Sequence, residues 1–278
     1  MATHVMARGA SAQYIGGGPS AARTTHIAAM SSVNQACCTL KPVQVEYEPK
    51  GSYEDVGGLK TYLTGDKESK RVIVGMFDIF GFWPQTLQGA DLLADATKTR
   101  VALPDFFRGQ NWPLEAFPPR NEEEGKRLGE WFGTVGEFGP RLKDLTAVVD
   151  SLKGKGADKF GLYGTCWGAK AAVQACAKGT PFAGLVQLHP AMVAVDDAKN
   201  LAIPVAFYPS RDEPKNDVEA FWNAVQANTE IASKSDFKHY TDMHHGWAAA
   251  RADLKNKENY FAFQDVYTRV AEFFNRVL

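Results

Sequence analysis

A cysteine stands at the centre of the segment GTCWG, residues 164–168, which has the pattern G-x-C-x-G. The apolar run from Phe160 to Tyr163 precedes it and predicts a strand, and the alanine-rich run after it is typical of a helix. Nucleophiles are often held on such a sharp strand-to-helix turn, where glycines leave room for the bend. The N-terminal dipole of the helix would also favour a thiolate. We therefore predict that Cys166 is a nucleophile.

Because a free cysteine is more often a small buried side chain, this prediction depends on partners for Cys166. Triads on a strand-turn-helix elbow place the nucleophile first in the chain, then the acid, then the histidine. Asp212 lies two predicted strands after the cysteine, in YPSRDEPKND, and His245 lies one strand further on, in TDMHHGW. Each follows a predicted strand in the loop where this order requires it. We therefore predict a triad of Cys166, His245 and Asp212.

Several neighbouring residues compete for two of these roles. Glu213 and Asp217 are alternatives for the acid, and Asp212 is favoured because it lies nearest to the strand end. His244 is an alternative for the base, and His245 is favoured because it directly precedes a glycine. Two further histidines fit poorly: His189 precedes the acid and suits a pocket wall or a hydrogen-bonded core position, and His239, inside a short predicted strand, suits a structural role.

The elements that would position these residues alternate along the chain beyond residue 45. Continuous apolar runs such as residues 71–78 are typical of strands buried on both faces. This alternation predicts an α/β fold with a mostly parallel sheet covered by helices on both faces. In such sheets the functional sites lie beyond the carboxyl ends of the strands. The predicted strands are residues 58–65, 71–78, 99–106, 159–163, 182–189, 203–210 and 236–241, and the predicted helices are residues 86–98, 137–153, 166–178, 216–228 and 257–277.

The composition limits the class of partner. The formal net charge of −1 gives no electrostatic footprint for nucleic acid, and no apolar run is long enough to span a bilayer. The four cysteines form no metal-type pair and are poorly placed for disulfides, which favours a reduced, cytoplasmic protein. The first 45 residues lack Asp and Glu, so a mitochondrial presequence is also compatible with them. We expect a disordered or targeting extension over residues 1–40 and one domain over residues 41–278.

Longer motifs resemble the dienelactone hydrolase family, the carboxymethylenebutenolidase-like branch of the α/β-hydrolases. They are GTCWGAK at the elbow, SRDEP in the acid loop, HHGWAAAR in the histidine loop, DIFGFWPQTLQGAD after the first buried strand and ALPDFFRGQ after the next. The resemblance covers roughly residues 37–278, and ACCTLKPVQVEY is similar to the fungal members in particular. It implies an α/β-hydrolase fold and a hydrolase that opens lactones or activated esters.

The resemblance also implies roles for individual residues. Cys166 would attack the substrate and form a thioester, with His245 as base and Asp212 orienting it. The backbone N–H groups of Trp167 and Ile79 would bind the oxyanion. The substrate is a small molecule, and neither a metal nor an organic cofactor is expected.

Two departures from the family pattern affect the expected substrate. Asp78 stands where the family often has a glutamate that modulates ionisation of the thiol, and it is one methylene shorter. Arg108 would hold a substrate carboxylate, but it is displaced by one position from the family's arginine, and the second arginine is replaced by Ala249. The aromatic residues around the motifs instead suggest a bulky apolar ligand, with Phe82, Trp83 and Trp247 as substrate-binding candidates.

Two other functions are compatible with the same residues. One is a tailoring hydrolase of secondary, polyketide-like metabolism. The other is a non-catalytic protein in which Cys166 is a redox-responsive thiol or the pocket binds a ligand without turnover. The changes at Asp78 and at the arginines motivate this last alternative. The sequence gives no prediction of the oligomeric state.

Overall fold

The computed structural model of the chain describes residues 43–278. The expected extension over residues 1–40 and the cysteines Cys37 and Cys38 lie outside the described residues. All residues from 43 onward belong to one compact unit. Within this described part, no helix is both long enough and apolar enough to cross a membrane.

Eight strands form one sheet in the order β1-β2-β4-β3-β5-β6-β7-β8. The pairs β1–β2 and β2–β4 are antiparallel, and all remaining pairs are parallel. The predicted mostly parallel sheet is therefore confirmed. The strands are β1 (Ser52–Val56), β2 (Leu59–Gly65), β3 (Arg71–Met76), β4 (Arg100–Pro104), β5 (Lys159–Thr165), β6 (Phe182–Leu188), β7 (Val205–Tyr208) and β8 (Asp236–Phe237).

Seven helices cover the two faces of this sheet. They are α1 (Pro84–Thr97), α2 (Glu122–Gly133), α3 (Phe138–Gly154), α4 (Trp167–Gln174), α5 (Val195–Lys199), α6 (Lys215–Ala227) and α7 (Lys257–Val277). Apolar side chains of α3, α4 and α6 pack in one core cluster, and those of α1 and α7 pack in a second cluster. The strands contribute to both clusters, so the sheet is buried between two layers of helices, as a parallel sheet requires.

The differences from the predicted elements have physical reasons. Strand β1 was not predicted because four of its five residues are exposed and only Val56 is buried, and it pairs only at the sheet edge. Helix α2 was not predicted because Trp131 is its one fully buried residue, which leaves no continuous apolar stripe. The five-residue α5 is too short to show a helical period. Strand β8 is shorter than the predicted 236–241, although Tyr240 forms an isolated bridge with Ser210.

Candidate active site

Cys166 occupies the tight turn between β5 and α4, with φ 53° and ψ −117°. Few residues other than glycine adopt this backbone conformation, and such outliers cluster at functional sites. The flanking glycines are required by sterics. A Cβ at Gly164 would overlap the carbonyl oxygen of Gly168, and a Cβ at Gly168 would overlap that of Met76 at the end of β3. The G-x-C-x-G pattern is thus the condition for placing the thiol on this turn.

Hydrogen bonds and a buried indole hold the turn in place. The N–H of Cys166 donates to the carbonyl oxygen of Leu188 on β6, and its own carbonyl oxygen accepts from Ala191. The Trp167 side chain is fully buried, and its Nε1 donates to the carbonyl oxygen of Gly136 at 2.8 Å. Its ring stacks on Phe138 with the centroids 5.5 Å apart. The start of α4 is therefore anchored to the neighbouring strand and to α3.

His245 is bound through its ring to Glu213. Nδ1 of His245 lies 2.6 Å from Oε1 of Glu213, and the carboxylate is almost completely buried. The hydroxyl of Ser210 donates to the same oxygen at 3.1 Å, and the N–H of Ser210 donates to Oε2. The carboxylate that orients the candidate base is therefore itself held by donors from the loop after β7.

The predicted contact between Asp212 and the imidazole is therefore wrong. Oδ2 of Asp212 instead accepts a hydrogen bond from the backbone N–H of His245 at 2.7 Å. Its side chain is about half exposed, and its Oδ1 lies 3.6 Å from Nε of Arg211. Glu213, one of the two alternatives considered from the sequence, takes the position at Nδ1. Asp217, the other alternative, is exposed in the first turn of α6.

The electrostatic environment keeps His245 protonated. Burial by itself lowers its pKa, but the charge of Cys166 and hydrogen bonds with Cys166 and Glu213 outweigh burial and raise the pKa of His245 to about 10. Since Nδ1 is directed at Glu213, the other ring nitrogen is the one available to Cys166. The ring of His245 is thus placed between Cys166 and the buried carboxylate of Glu213.

Two backbone N–H groups are free beside the thiol. Among the described residues, neither the N–H of Ile79 nor that of Trp167 donates a hydrogen bond. Trp167 begins α4, where N–H groups have no partner within the helix. Ile79 lies in the loop after β3 and lines the same cavity as Cys166. Both N–H groups are therefore available to an oxyanion, as the sequence-based assignment requires.

Asp78 connects the loop after β3 to the histidine loop. It is fully buried, and its carboxylate accepts from the N–H of Phe80 at 3.0 Å and from that of Ala250 at 3.2 Å. Burial raises the pKa of Asp78 to about 6, against opposing effects of these hydrogen bonds and of the nearby charges of His245 and Arg251. The side chain thus acts as a cross-link between loops, and its charge lies close to the candidate site.

A cavity of about 170 Å³ opens in front of the thiol. Its lining includes the thiol and the residues around it, namely Cys166, Asp78, His245, Gly246 and Arg251. The surface that the wall presents is apolar, and its hydrophobic members are Ile79, Phe80, Phe117, Phe132 and Ala191. The site is therefore a small apolar pocket with the nucleophile at one end.

The three aromatic residues predicted to bind substrate do not line this cavity. Trp247 is completely buried in the second core cluster, where its ring packs against Tyr240 at 4.5 Å. Phe82 packs edge-on against Phe77, and Trp83 directly precedes α1. These predictions were wrong because an aromatic side chain beside a catalytic motif serves the core as readily as it serves a pocket.

Arg108 is also outside the cavity. Its guanidinium makes two hydrogen bonds of 2.9 Å to Asp144 on α3, and this pairing raises its pKa. The arginine of the cavity is Arg251. Its Nη1 donates to the carbonyl oxygen of His245 at 2.7 Å, and the guanidinium lies 5.3 Å from the centre of the Phe117 ring. Arg251 therefore holds the histidine loop.

The remaining histidines of the described residues have separate positions. His189 is fully buried, its ring packs edge-on against that of His245 at 5.1 Å, and neither ring nitrogen has a partner within residues 43–278. Burial lowers the pKa of His189 far below its usual value, so it is neutral. Nδ1 of His244 forms a hydrogen bond with the carbonyl oxygen of His245, and Nε2 of His239 forms one with the carbonyl oxygen of Ser210. None of these three lies in the cavity wall.

Comparison with known proteins identifies a family model and relatives that match this chain. The sequence model of the dienelactone hydrolase family matches residues 59–278. The chain is 38% identical over 229 residues to an uncharacterized AIM2 family protein of Schizosaccharomyces pombe, covering 81% of this chain and 90% of the relative. It is 25% identical over 211 residues to a human protein named carboxymethylenebutenolidase homolog, covering 73% and 82% of the two chains.

Solved structures agree on the fold. A crystal structure of dienelactone hydrolase from Anabaena variabilis is similar to this chain with a TM-score of 0.57 and 16% sequence identity. The similarity covers 83% of this chain and 98% of that one. The sheet order, the two helical layers and this likeness confirm the expected α/β-hydrolase fold.

Proposed function

The chain belongs to the dienelactone hydrolase family and is a hydrolase of carboxylic esters or lactones, and we propose that it acts through a Cys166–His245–Glu213 triad and a thioester intermediate. The observation that carries this proposal is the contact of the His245 ring with the buried carboxylate of Glu213. The raised pKa of His245 and the strained turn at Cys166 support it. The acid differs from the Asp212 expected from the sequence.

In the first half-reaction the thiolate of Cys166 attacks the carbonyl carbon of the ester or lactone. A carbon–sulfur bond forms, and the electron pair of the C=O π bond moves to the oxygen. The N–H groups of Ile79 and Trp167 stabilise this oxyanion, a contribution of about 2.7–4 kcal/mol for a typical donor. When the tetrahedral intermediate collapses, the bond to the leaving oxygen breaks and the imidazolium of His245 protonates it. The thioester remains on Cys166.

In the second half-reaction His245, now neutral, removes a proton from water. The hydroxide attacks the thioester carbon, and the carbon–sulfur bond breaks as the carboxylic acid forms. The thiolate returns with the imidazolium beside it, so protons and electron pairs balance over the cycle. Glu213 stabilises the charged ring and fixes its tautomer in both steps, as the acid of a triad does.

The remaining residues of the site position this machinery. Asp212 and Arg251 hold the backbone of His245 from two directions, through its N–H and its carbonyl oxygen. Asp78 ties the loop carrying Ile79 to the histidine loop and places its charge near the thiolate, which supports the modulating role inferred from the family. Arg108 and Trp247 have no part in this mechanism.

The direct test is intact-protein mass spectrometry during turnover of p-nitrophenyl acetate. Wild-type protein should show a transient acetyl adduct that peptide mapping places on Cys166, together with release of p-nitrophenol. Cys166→Ala should lose both signals, because the proposed thioester forms on the Cys166 sulfur. His245→Ala should retain a folded protein and lose turnover, because the base that deprotonates the deacylating water is gone.

A matched control is Cys176→Ala. Cys176 is a free cysteine on the same face of the sheet, but it is completely buried in the core, and burial raises the pKa of its thiol far above the usual range. This variant should keep the adduct and the turnover. Undiminished ester turnover by Cys166→Ala would contradict the proposal.

The two other functions considered from the sequence give different results in the same experiment. A redox-responsive or ligand-binding protein would react with iodoacetamide at Cys166 but release no p-nitrophenol. A tailoring hydrolase of secondary metabolism would behave as the proposal requires with the model ester. It would differ only in its natural substrate. The raised pKa of His245 and the free N–H groups of Ile79 and Trp167 support the enzymatic function over the non-catalytic one.

A further inference from the structure

The size of the cavity limits the group that can occupy it. Its volume is about 170 Å³. An engineered apolar cavity of about 150 Å³, lined by leucine, isoleucine and phenylalanine, binds benzene. The space in front of Cys166 therefore corresponds to one six-membered ring or to an aliphatic chain of about six carbons. A polycyclic group would exceed this volume.

The wall of the cavity is built for an uncharged group. Three phenylalanines from separate parts of the chain meet there: Phe80 from the loop after β3, Phe117 from the segment before α2, and Phe132 from the end of α2. The rings of Phe80 and Phe117 lie 5.7 Å apart in an edge-to-face contact. Such aromatic walls bind apolar and aromatic groups and provide no hydrogen-bond donor for a carboxylate.

Asp78 and Arg251, the charged side chains at the cavity apart from the proposed catalytic pair, are already engaged. Both carboxylate oxygens of Asp78 accept hydrogen bonds from backbone N–H groups. The guanidinium of Arg251 donates to the carbonyl oxygen of His245 and packs over Phe117. Neither presents a polar surface to the cavity, whose exposed wall is apolar. A carboxylate on the acyl group would therefore be desolvated without a partner, which is strongly unfavourable.

From these observations we infer that the acyl part of the substrate is uncharged, apolar and about the size of a single six-membered ring, and that Phe132 sets its upper size limit. This inference rests on the proposed function, because it assumes that Cys166 is acylated. Phe132 is chosen because it is half-buried at the end of an exposed helix and packs on Trp131, so it can be replaced with little disturbance of the core.

The test is a series of p-nitrophenyl esters with wild-type protein. The acyl groups are acetyl, butyryl, hexanoyl, octanoyl, decanoyl and benzoyl, with the mono-ester of adipic acid as the charged counterpart of hexanoyl. Each methylene buried in an apolar pocket is worth about fourfold, so kcat/KM should rise about 16-fold over the two methylenes from butyryl to hexanoyl. It should be high for benzoyl and fall for decanoyl. The adipic mono-ester should be at least about 100-fold poorer than hexanoyl, because its carboxylate finds no partner.

Two substitutions test the role of Phe132 in opposite directions. Phe132→Ala enlarges the cavity and should move the optimum to octanoyl or decanoyl, whereas Phe132→Trp should move it to butyryl. Phe261→Ala is the matched control, because Phe261 is a strongly exposed phenylalanine on α7, outside the cavity. This control should leave the whole series unchanged. Circular dichroism and the melting temperature show whether each variant is folded.

Each result separates this inference from the proposed function. A wild-type preference for the adipic mono-ester or for decanoyl would overturn the inference while leaving the thioester mechanism intact. An unchanged optimum in folded Phe132 variants would overturn the role of that residue. Absence of turnover with every ester would overturn the proposed function, and the inference would fall with it.

Discussion

Glu213 and Asp212, two adjacent carboxylates, bind different parts of the same residue. Glu213 contacts Nδ1 of the His245 ring at 2.6 Å, and Asp212 accepts from the His245 backbone N–H at 2.7 Å. Successive side chains of a loop point in different directions, so one turns into the protein and the other stays near the surface. The buried carboxylate controls the ring, and the exposed one controls the position of the loop.

This division predicts unequal effects of removing the two charges. Glu213→Gln should lower kcat by about 10³–10⁴-fold, because an amide donor at Nδ1 favours the wrong tautomer and leaves the imidazolium without its counter-charge. Asp212→Asn should lower kcat by less than about tenfold, because one exposed hydrogen bond typically contributes about 1 kcal/mol. Steady-state kinetics with p-nitrophenyl acetate measures both.

Circular dichroism should show that both variants are folded. The assignment of the acid would be contradicted if Asp212→Asn were the more damaging change. A loss in Glu213→Gln that appeared only in KM would also contradict it, because the triad acid acts on the chemical steps.

The raised pKa of His245 predicts the alkaline side of the pH profile. A pKa raised to about 10 means that the imidazolium persists through neutral pH and is lost as the pH rises through about 10. Acylation needs this proton for the leaving group, so kcat/KM should stay level through the neutral range and fall above that value.

The cause of the shift can be tested separately. In Cys166→Ala the thiolate charge and its hydrogen bond are gone, while burial still opposes the charged ring. The pKa of His245 should therefore be lower than in the wild type. Histidine NMR titration measures it, with His245→Ala identifying the resonance. An unchanged pKa would mean that Cys166 is not the charge that stabilises the imidazolium.

Asp78 predicts a pH dependence of stability. Its folded pKa is raised to about 6 from an ordinary value of 3.8. The protonated form is therefore favoured by folding, and the stability it contributes is present below pH 3.8 and lost as the pH rises through about 6. At 1.36 kcal/mol per pKa unit this amounts to about 3 kcal/mol. Asn at this position does not titrate.

The measurement is the free energy of unfolding of wild type and Asp78→Asn by urea at several pH values. Asp78→Asn should be destabilised relative to wild type, because its amide nitrogen faces a backbone donor. This difference should shrink by about 2 kcal/mol between pH 4.5 and 7. A difference that is constant with pH would contradict the raised pKa.

Arg251 and Arg108 provide a matched pair of substitutions, one inside the cavity and one outside it. Arg251→Gln removes a charge-assisted hydrogen bond to the carbonyl oxygen of His245, and such a bond is worth about 1.5–3 kcal/mol. We expect kcat to fall by about tenfold or more. Arg108→Gln removes only a pair with Asp144 that is half exposed on the arginine side, and such pairs contribute about 1 kcal/mol or less. Its kcat/KM should stay within about twofold, and a large rise in KM would restore the substrate-binding role expected from the sequence.

The glycines of the elbow predict a contrast in stability. Gly168→Ala places a Cβ against the backbone oxygen of Met76, and relief of this overlap should cost about 3 kcal/mol or more. Gly129→Ala on α2 meets nothing within 4 Å and should stabilise the helix by about 0.5–1 kcal/mol. The free energies of unfolding of the two variants in urea measure this contrast. Equal stabilities would contradict the close packing described for α4 against β3.

Much of the site could be predicted because its signals are local or follow chain order. The elbow glycines identify the turn at Cys166, and the order of loops at the strand ends identifies His245. The choice between Asp212 and Glu213 could not be made, because the direction of a loop side chain depends on packing that sequence patterns do not express. Glu213 directly precedes Pro214 at the start of α6, but this gives no signal about the ring of a histidine in another loop.

The cavity wall was the least predictable part. Phe117 and Phe132 belong to a segment whose helix α2 has no continuous apolar stripe, so neither was identified. The Trp247 and Phe82 rings were assigned to the pocket although they serve the core. Burial between layers decides such roles, and it is determined by the assembled sheet. A bulky apolar ligand was expected from the sequence; the cavity wall is apolar, but a volume of about 170 Å³ is small for a bulky group.

The hydrogen bond between Asp78 and Ala250 joins residues 172 positions apart. The triad likewise draws on loops after β5, β7 and β8, so its parts meet only when the final third of the chain has been added to the sheet. During synthesis Cys166 emerges as an ordinary thiol without its base and its acid. In the proposed mechanism, activation of Cys166 therefore depends on the last loops to join the sheet. The rate at which an alkylating agent modifies Cys166 should accordingly report whether folding is complete.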